Sequence, residues 1–336
     1  MKRGWLLTSL AIIAVLALVI AGCSTGSTQE APNAQQTAQE SSSVDYPNKP
    51  VTLIVPYGAG GGTDVTARLL AEPLEKALGQ PVVVQNIEGG GGWTGWGTLA
   101  HAPKDGYTIG YVNIPNVFAG YLDPQMNREE NIDSFTMLIN HVTDPGVIAV
   151  SADSEFKTMQ DIIDYAKANP GKLSVTAHGY GGDDYLGIKQ IEQETGVEFN
   201  IIHNNSTAES KSQVLGGHVD VLVANVSEVV GMVANNEIRV LGVAYDVRSE
   251  FLPDVPTLKE QGINAVHFAA RGMACPAGTP EEIVQILIKA LEEAIANPDY
   301  LPKYQEMGLS LEPKKGQEYT EFIKTWESKI KALMGW

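Results

Sequence analysis

Cysteine is nearly absent from this chain, which has Cys23 and Cys275 and no other. Two cysteines are too few for a disulfide framework. Cys275 precedes Pro276 at the end of an apolar run, and the expectation is a buried structural thiol. Positive charge is scarce as well. Twenty-three Lys and Arg stand against forty Asp and Glu, a formal charge of −17, which argues against nucleic acid as a partner. The excess does not exclude an anionic ligand, because amide dipoles bind anions locally inside acidic proteins. Catalytic and metal signatures are missing too. The six histidines, His101, His141, His178, His203, His218 and His267, form no H-E-x-x-H pattern, and no serine sits in G-x-S-x-G. Catalytic residues, metal ligands and a cofactor are therefore all expected to be none, and the expectation is a binding protein and not an enzyme.

The leader is the clearest feature present. Lys2 and Arg3 open the chain, and Leu6 to Ile20 is apolar except for Thr8 and Ser9. Ile20-Ala21-Gly22-Cys23 follows. A basic start, a short apolar run and small residues before a cleavage point predict a secretory signal over residues 1–22. The run is short for a membrane span, which needs about 20 apolar residues. The cysteine after Ala-Gly resembles the lipobox of bacterial lipoproteins, which implies cleavage before Cys23 and a lipid on its thiol. Residues 23–45 are rich in Ser, Thr, Gln, Ala and Glu, with almost no large apolar residue. Such a segment cannot offset its ordering entropy by burial, and it reads as a disordered tether to the membrane.

From Tyr46 onward, short β-branched runs alternate with helical patterns. Val51–Val55 reads as a strand, and Thr63 to Leu78 as a helix stopped by Gly79, with Pro73 expected to kink it or expose a carbonyl. Val82–Val84 and Thr108–Val112 are the next strands, and this βαβ spacing implies a parallel sheet. A second series begins near Val147–Val150. Thr158 and Asp161 come close to a capping box, Leu173–Ala177 is a strand, and a helix runs from about Asp184 to Thr195. Strands at Phe199–Ile202, Val219–Val223, Val240–Ala244 and Phe268–Ala274 follow. Thr279-Pro280-Glu281-Glu282 starts a further helix, with Pro at its first position, and an amphipathic helix carrying Phe322, Ile323, Trp326, Ile330 and Leu333 ends the chain.

Two glycine-rich loops stand between a strand and a helix. Tyr57-Gly58-Ala59-Gly60-Gly61-Gly62-Thr63-Asp64 is the first, and His178-Gly179-Tyr180-Gly181-Gly182-Asp183-Asp184 the second. Glycine lets backbone approach a ligand, and the free amides of a helix's first turn attract anions. The first loop is not a P-loop, because no Lys follows its glycines, and its spacing misses G-x-G-x-x-G at Thr63. Either loop alone is equally a flexible turn. As a pair at the carboxyl ends of strands in two series they favour a ligand cleft. A third glycine run, Gly89 to Gly92, leads into Trp93 and Trp96; one is expected to line a pocket and the other to pack on the sheet.

The segments Tyr46-Pro47-Asn48-Lys49-Pro50, Leu78-Gly79-Gln80-Pro81, Pro103-Lys104-Asp105-Gly106-Tyr107, Leu215-Gly216-Gly217-His218-Val219-Asp220, Leu252-Pro253-Asp254-Val255-Pro256-Thr257 and Pro276-Ala277-Gly278-Thr279-Pro280, with the first loop, carry a resemblance. In that order the chain resembles the Bug family, the substrate-binding proteins of tripartite tricarboxylate transporters, from about Tyr46 to Phe322. The resemblance implies an α/β type II periplasmic-binding-protein fold, with two lobes joined by a hinge and the ligand cleft between them. It implies a small carboxylate ligand and membrane subunits as partners. Carried over, the site is Tyr57, Gly61, Gly62, Thr63 and Asp64 in one lobe, and Gly179, Tyr180, Gly181, Gly182, Asp183 and Asn225 in the other. Gly58, Gly60, Trp93 and Asn113 complete the candidate set.

Four positions depart from the family pattern. Asp183 and Tyr185 stand where hydroxyl residues and then a histidine are usual, Ala224 replaces an aspartate, and Trp93 a small polar residue. Asp183 reads first as a plain N-cap of the helix behind it. The alternative is that Asp183 or Asp184 faces the cleft and meets an ammonium or hydroxyl group of the ligand. Lobes are expected at 46–143 plus 269–336 and at 144–268, with crossings before Val147 and near His267. Competing readings are an extracytoplasmic enzyme on a two-lobed scaffold and a sensory binding protein feeding a receptor.

Overall fold

The computed structural model describes residues 44–204 and 206–336. The signal segment, Cys23 and all but the last two residues of the 23–45 segment lie outside the described residues. No described helix is long and apolar enough to cross a membrane.

The N-terminal third is built as the alternation of the sequence requires. Strand β1 (Val51–Val55) leads into α1 (Gly62–Leu78), β2 (Val82–Asn86), α2 (Trp93–Ala100), β3 (Thr108–Ile114) and α3 (Asn116–Leu122). Val51, Leu53 and Val55 point to one face of the sheet, where Ala67, Leu70 and Leu74 of α1 cover them. Ile54 points to the other face, against Trp96 and Leu99. This is the two-residue period of a strand covered on both faces, and each such side chain contributes about 1.5–3 kcal/mol by leaving water. Pro73 sits buried inside an unbroken α1. It has no N–H to give the Leu69 carbonyl, but it does not end the helix. Gly79 does, in a left-handed conformation at φ 67 with its N–H on the Glu75 carbonyl.

The next strand departs from expectation. Strand β4 runs from Phe135 to Ser151, seventeen residues, twelve residues ahead of the apolar run at Val147. Its early part carries Asn140, His141, Thr143 and Asp144, all buried polar residues that hide a strand from a hydrophobicity pattern. The chain continues through α4 (Met159–Ala168), β5 (Ser174–His178), α5 (Asp183–Thr195), β6 (Asn200–Asn204), α6 (Thr207–Leu215), β7 (Leu222–Asn225), α7 (Val226–Ala234) and β8 (Ile238–Ala244). It returns by β9 (Phe268–Pro276), α8 (Glu281–Ile295), α9 (Leu301–Glu306), β10 (Leu311–Lys315) and α10 (Gly316–Met334). Thr158 opens α4 with the full reciprocal cap, its hydroxyl accepting from Asp161 and the Asp161 carboxylate accepting from Thr158 N–H. At α8 the cap position is Pro280, and Thr279 instead donates its hydroxyl to the Pro276 carbonyl.

The sheet is mixed, which corrects the expectation of a parallel one. Its order is β10-β4-β9-β3-β1-β2, and only β1 with β2 and β1 with β3 are parallel in it. Strands β3 with β9, β9 with β4, and β4 with β10 are antiparallel. The far end of β4, residues Gly146 to Ser151, pairs instead with β7 on one side and β8 on the other. Strands β5 and β6 form a parallel pair that touches this region through a bridge from Val175 to Val221. Ile148 and Val150 of β4 pack under α4 and α5, while Val147 and Ala149 face α7. A single strand thus threads one sheet region and then a second, and the chain comes back through His267 into β9.

Candidate functional site

Three helices begin at one place. The N-terminus of α1 contributes Gly61, Gly62 and Thr63, that of α5 contributes Asp183 and Asp184, and that of α7 contributes Asn225 and Glu228. Between them lies a cavity of about 50 Å³, walled further by Tyr57, Asn113, Asn116, His178, Thr207 and Arg271. A space of this size accepts a few water-sized groups, so a ligand held in this form is compact. The cap residues of α1 and α5 are Gly61 and Gly182, which have no side chain to occupy the first-turn amides. Those amides and the positive ends of the helix dipoles are the anion-seeking elements of the site.

Asn113 Nδ2 lies 2.9 Å from Thr63 Oγ1 and joins β3 to α1. Tyr57 rests edge-on against Trp96 at 6.0 Å and faces His178 at 5.4 Å. Burial raises the Tyr57 phenol well above its ordinary value, and the nearby Asp183 charge adds to the effect. Gly58 also lines the cavity, and a Cβ there would meet Glu88 Oε2 at 2.8 Å.

Asp183 is the first residue of α5 and not its cap, because Gly182 holds the cap position. Its carboxylate turns into the protein, where Asn116 Nδ2 donates to Oδ1 at 2.8 Å and Asn225 Nδ2 to Oδ2 at 3.2 Å. His267 Nε2 stands 3.0 Å from Asp183 Oδ2 and 3.0 Å from Asp184 Oδ1. One atom from each of these three residues falls within 4.8 Å of the others. Both nitrogen–oxygen distances are those of hydrogen bonds, and the one Nε2–H is shared by two carboxylates. Burial alone would lower the His267 pKa, but hydrogen bonds and charge from both aspartates push it up to about 10. Burial works against the Asp183 charge, yet the His267 contact holds its carboxyl below the usual range. Burial and the Asp183 charge raise Asp184.

The His267 bond stabilises the fold fully below the ordinary histidine range and is lost as pH climbs toward 10, where the folded imidazolium would deprotonate. The urea midpoint of the wild type is therefore expected to fall between pH 7 and pH 10 by more than that of His267→Gln. Equal pH dependence in the two proteins would show that His267 is neutral.

Arg271 lies in the middle of β9, 2% exposed, beneath α1. Its Nη2 donates to Asp144 Oδ2 at 2.7 Å and its Nη1 to Thr66 Oγ1 at 3.1 Å. Burial raises the Asp144 carboxyl pKa, opposed by the Arg271 charge and the Ser227 hydroxyl. Glu228 accepts from the Thr207 hydroxyl and from Asn225 N–H.

Several candidates stand elsewhere. Asp64 turns away from the cavity, accepting from Gly60 N–H at 2.8 Å, Arg68 Nε at 3.0 Å and Asn86 Nδ2 at 2.9 Å. It pins the glycine loop. Gly60, at φ 82, borders a neighbouring groove. Trp93 and Trp96 are both core residues, 3% and 0% exposed, so neither lines the cavity. Trp93 packs on Trp96 at 5.4 Å and so closely on Gly120 that a Cβ there would sit 1.7 Å from its ring nitrogen. Gly179 and Gly182, with Gly89 to Gly92, border an adjoining groove that shares Tyr57, Gly58, Asn116 and His178 with the cavity. Tyr180 is 42% exposed and donates its hydroxyl to Asp123, and Gly181 fits against Ala119. Asn116, Asp144, Glu228, His267 and Arg271 were absent from the candidate set. The signal for the last two was a charge at, and a charge within, the apolar run Phe268–Ala274.

In this mixed α/β fold three helix N-termini converge on one small cavity lined by polar side chains. The family model for the "Tripartite tricarboxylate transporter family receptor", TctC, matches residues 66–335, and the chain belongs to that family. It is 34% identical over 289 residues to a Cupriavidus necator protein described as "UPF0065 protein in gbd 5'region", covering 86% of this chain and 88% of the other. Among solved structures it is similar to the periplasmic binding protein BugD, with 28% identity, a TM-score of 0.76, and 86% and 98% of the two chains covered. A second is an R. palustris protein solved with adipate, with 25% identity, a TM-score of 0.78, and 87% and 99% covered. The protein is a solute-binding receptor of the tripartite tricarboxylate transporter family.

Proposed function

We propose that this receptor works outside the cytoplasm, captures a small carboxylate in the cavity at the N-termini of α1, α5 and α7, and delivers it to the membrane subunits of a tripartite transporter. The observation that carries the reading is the uncapped first turn of α1, opening on the cavity at Gly62 and Thr63 beside the Arg271 guanidinium. Carboxylates are favoured at such termini by amide hydrogen bonds and by the dipole. The adipate of the R. palustris relative supports the same ligand class. Residues 46–143 plus 269–336 form one lobe and 144–268 the other, and they hinge about β4 and the His267–Phe268 crossing. Cys23 carries a lipid that holds the receptor at the membrane, and Cys23→Ala releases it to the soluble fraction. The role is capture and not catalysis, in keeping with the receptor family to which the chain belongs, and the Cys275 thiol lies in the core behind β1 and α8.

The test is a thermal-shift screen of mono-, di- and tricarboxylates against amides and sugars. At least one acid is expected to raise the melting temperature by several degrees, following mass action at saturating ligand. A screen in which only uncharged solutes stabilise the protein would refute the reading.

A further inference from the structure

The walls of the cavity do not balance in charge. Asp183, Asp184 and Glu228 line it, and Asp144 lies directly behind Arg271. Against these four carboxylates stand Arg271 and His267, with Lys211 Nζ reaching the backbone carbonyl of Glu228 and not its carboxylate. Arg271 is matched by Asp144, and the single His267 ring is shared between two aspartates, which leaves the carboxylates in excess around the cavity. A plain dicarboxylate would enter this space as a like charge, at short range and with little solvent to screen it.

The hydrogen-bonding groups are divided as well. Donors gather on the α1 side: the first-turn amides, the Thr63 hydroxyl and the Arg271 guanidinium. Acceptors gather opposite, at Asp183, Asp184 and Glu228. A second, independent feature points the same way. Asn116 is 7% exposed and lines the cavity, and its Oδ1 is buried with no hydrogen-bond partner among the described residues. Its orientation is fixed, because its other atom must be the donor to the Asp183 carboxylate. A buried acceptor without a donor carries a desolvation cost that a donor-bearing ligand removes.

We infer that the ligand is a zwitterion, a small acid that also bears a protonated amine, with its carboxylate toward α1 and Arg271 and its ammonium toward Asn116, Asp183 and Glu228. This rests on the carboxylate reading above and names the substrate class within it. The ammonium supplies three donors and the charge the cavity lacks. A simple acid of the same length supplies neither.

The experiment is calorimetric titration of the purified protein with matched pairs: aspartate and succinate, glutamate and glutarate, 4-aminobutyrate and butyrate. In at least one pair the amino acid is expected to bind tenfold or more tighter than its amine-free partner. Glu228→Gln, and Asp183→Asn if it folds, should shrink that preference to less than threefold, read as the ratio of the two affinities within each variant. Equal or tighter binding of the amine-free acids by the wild type would overturn the inference and leave the carboxylate reading standing. So would binding of those acids that appears only with added zinc or calcium, since the excess charge would then serve a metal. Failure of every acid in both sets, with the protein folded, would overturn the carboxylate reading and this inference together.

Discussion

Arg271→Met is expected to lower the free energy of unfolding by about 3–5 kcal/mol, the cost of leaving a buried charge without its partner. Asp144 is fully buried, and after the substitution only Ser227 would remain bonded to its carboxylate. Arg271 is also central to the sheet, opposite Asn113 on β3 and Val142 on β4. Methionine fills the aliphatic volume but supplies no charge. Removing both partners in Arg271→Met with Asp144→Leu is expected to recover part of the loss, because the unpaired charge is gone. Urea unfolding of the three proteins measures this. A loss below about 1 kcal/mol in the single variant would mean that Asp144 is protonated or otherwise satisfied.

Gly62→Val is expected to weaken ligand binding at least a hundredfold, with the acid giving the largest thermal shift as the probe. The reason is not backbone strain, since Gly62 is not among the glycines with positive φ. A Cβ there would stand 2.3 Å from Arg271 Nη2 and 3.4 Å from Glu228 Oε1, in the cavity wall itself. The side chain would displace the guanidinium and fill the space before the first-turn amides. Gly61 differs. Its Cβ would meet nothing closer than the Gly58 carbonyl oxygen at 3.6 Å, so Gly61→Ala should fold normally and bind within a few-fold of wild type. The sequence treats these neighbouring glycines alike. Calorimetry on both variants separates them, and unchanged affinity in Gly62→Val would move the site elsewhere.

Legibility in the sequence followed burial pattern. Strand β1, helix α1 with its Gly79 stop, the Thr158–Asp161 cap and the amphipathic α10 could be read because their apolar residues repeat at fixed periods and their ends carry capping chemistry. The start of β4 could not be read, because its buried side chains there are largely polar. Strand order was hidden for another reason. Alternating elements say that strands run parallel, but β4 and β9 return through the sheet the other way, and nothing local marks that reversal.

The site divides similarly. Gly58, Gly61, Gly62 and Thr63 of the first loop line the cavity, and what points to them in the sequence is the pairing of two strand–glycine–helix junctions. Asp64 was misplaced because the same loop needs an acceptor to hold Gly60 and Arg68. Trp93 was misplaced because its pocket is closed by Gly120, far off in sequence. Asn116, Asp144, Glu228, His267 and Arg271 come from different elements, and only the folded chain brings them together.

The most direct test of the account is an amide NMR titration with the tightest-binding acid. If the carboxylate sits on the first turn of α1, the Gly62 and Thr63 amide resonances shift with a saturation curve matching the calorimetric affinity. Saturating binding that leaves those two amides unmoved, while others shift, would contradict the account.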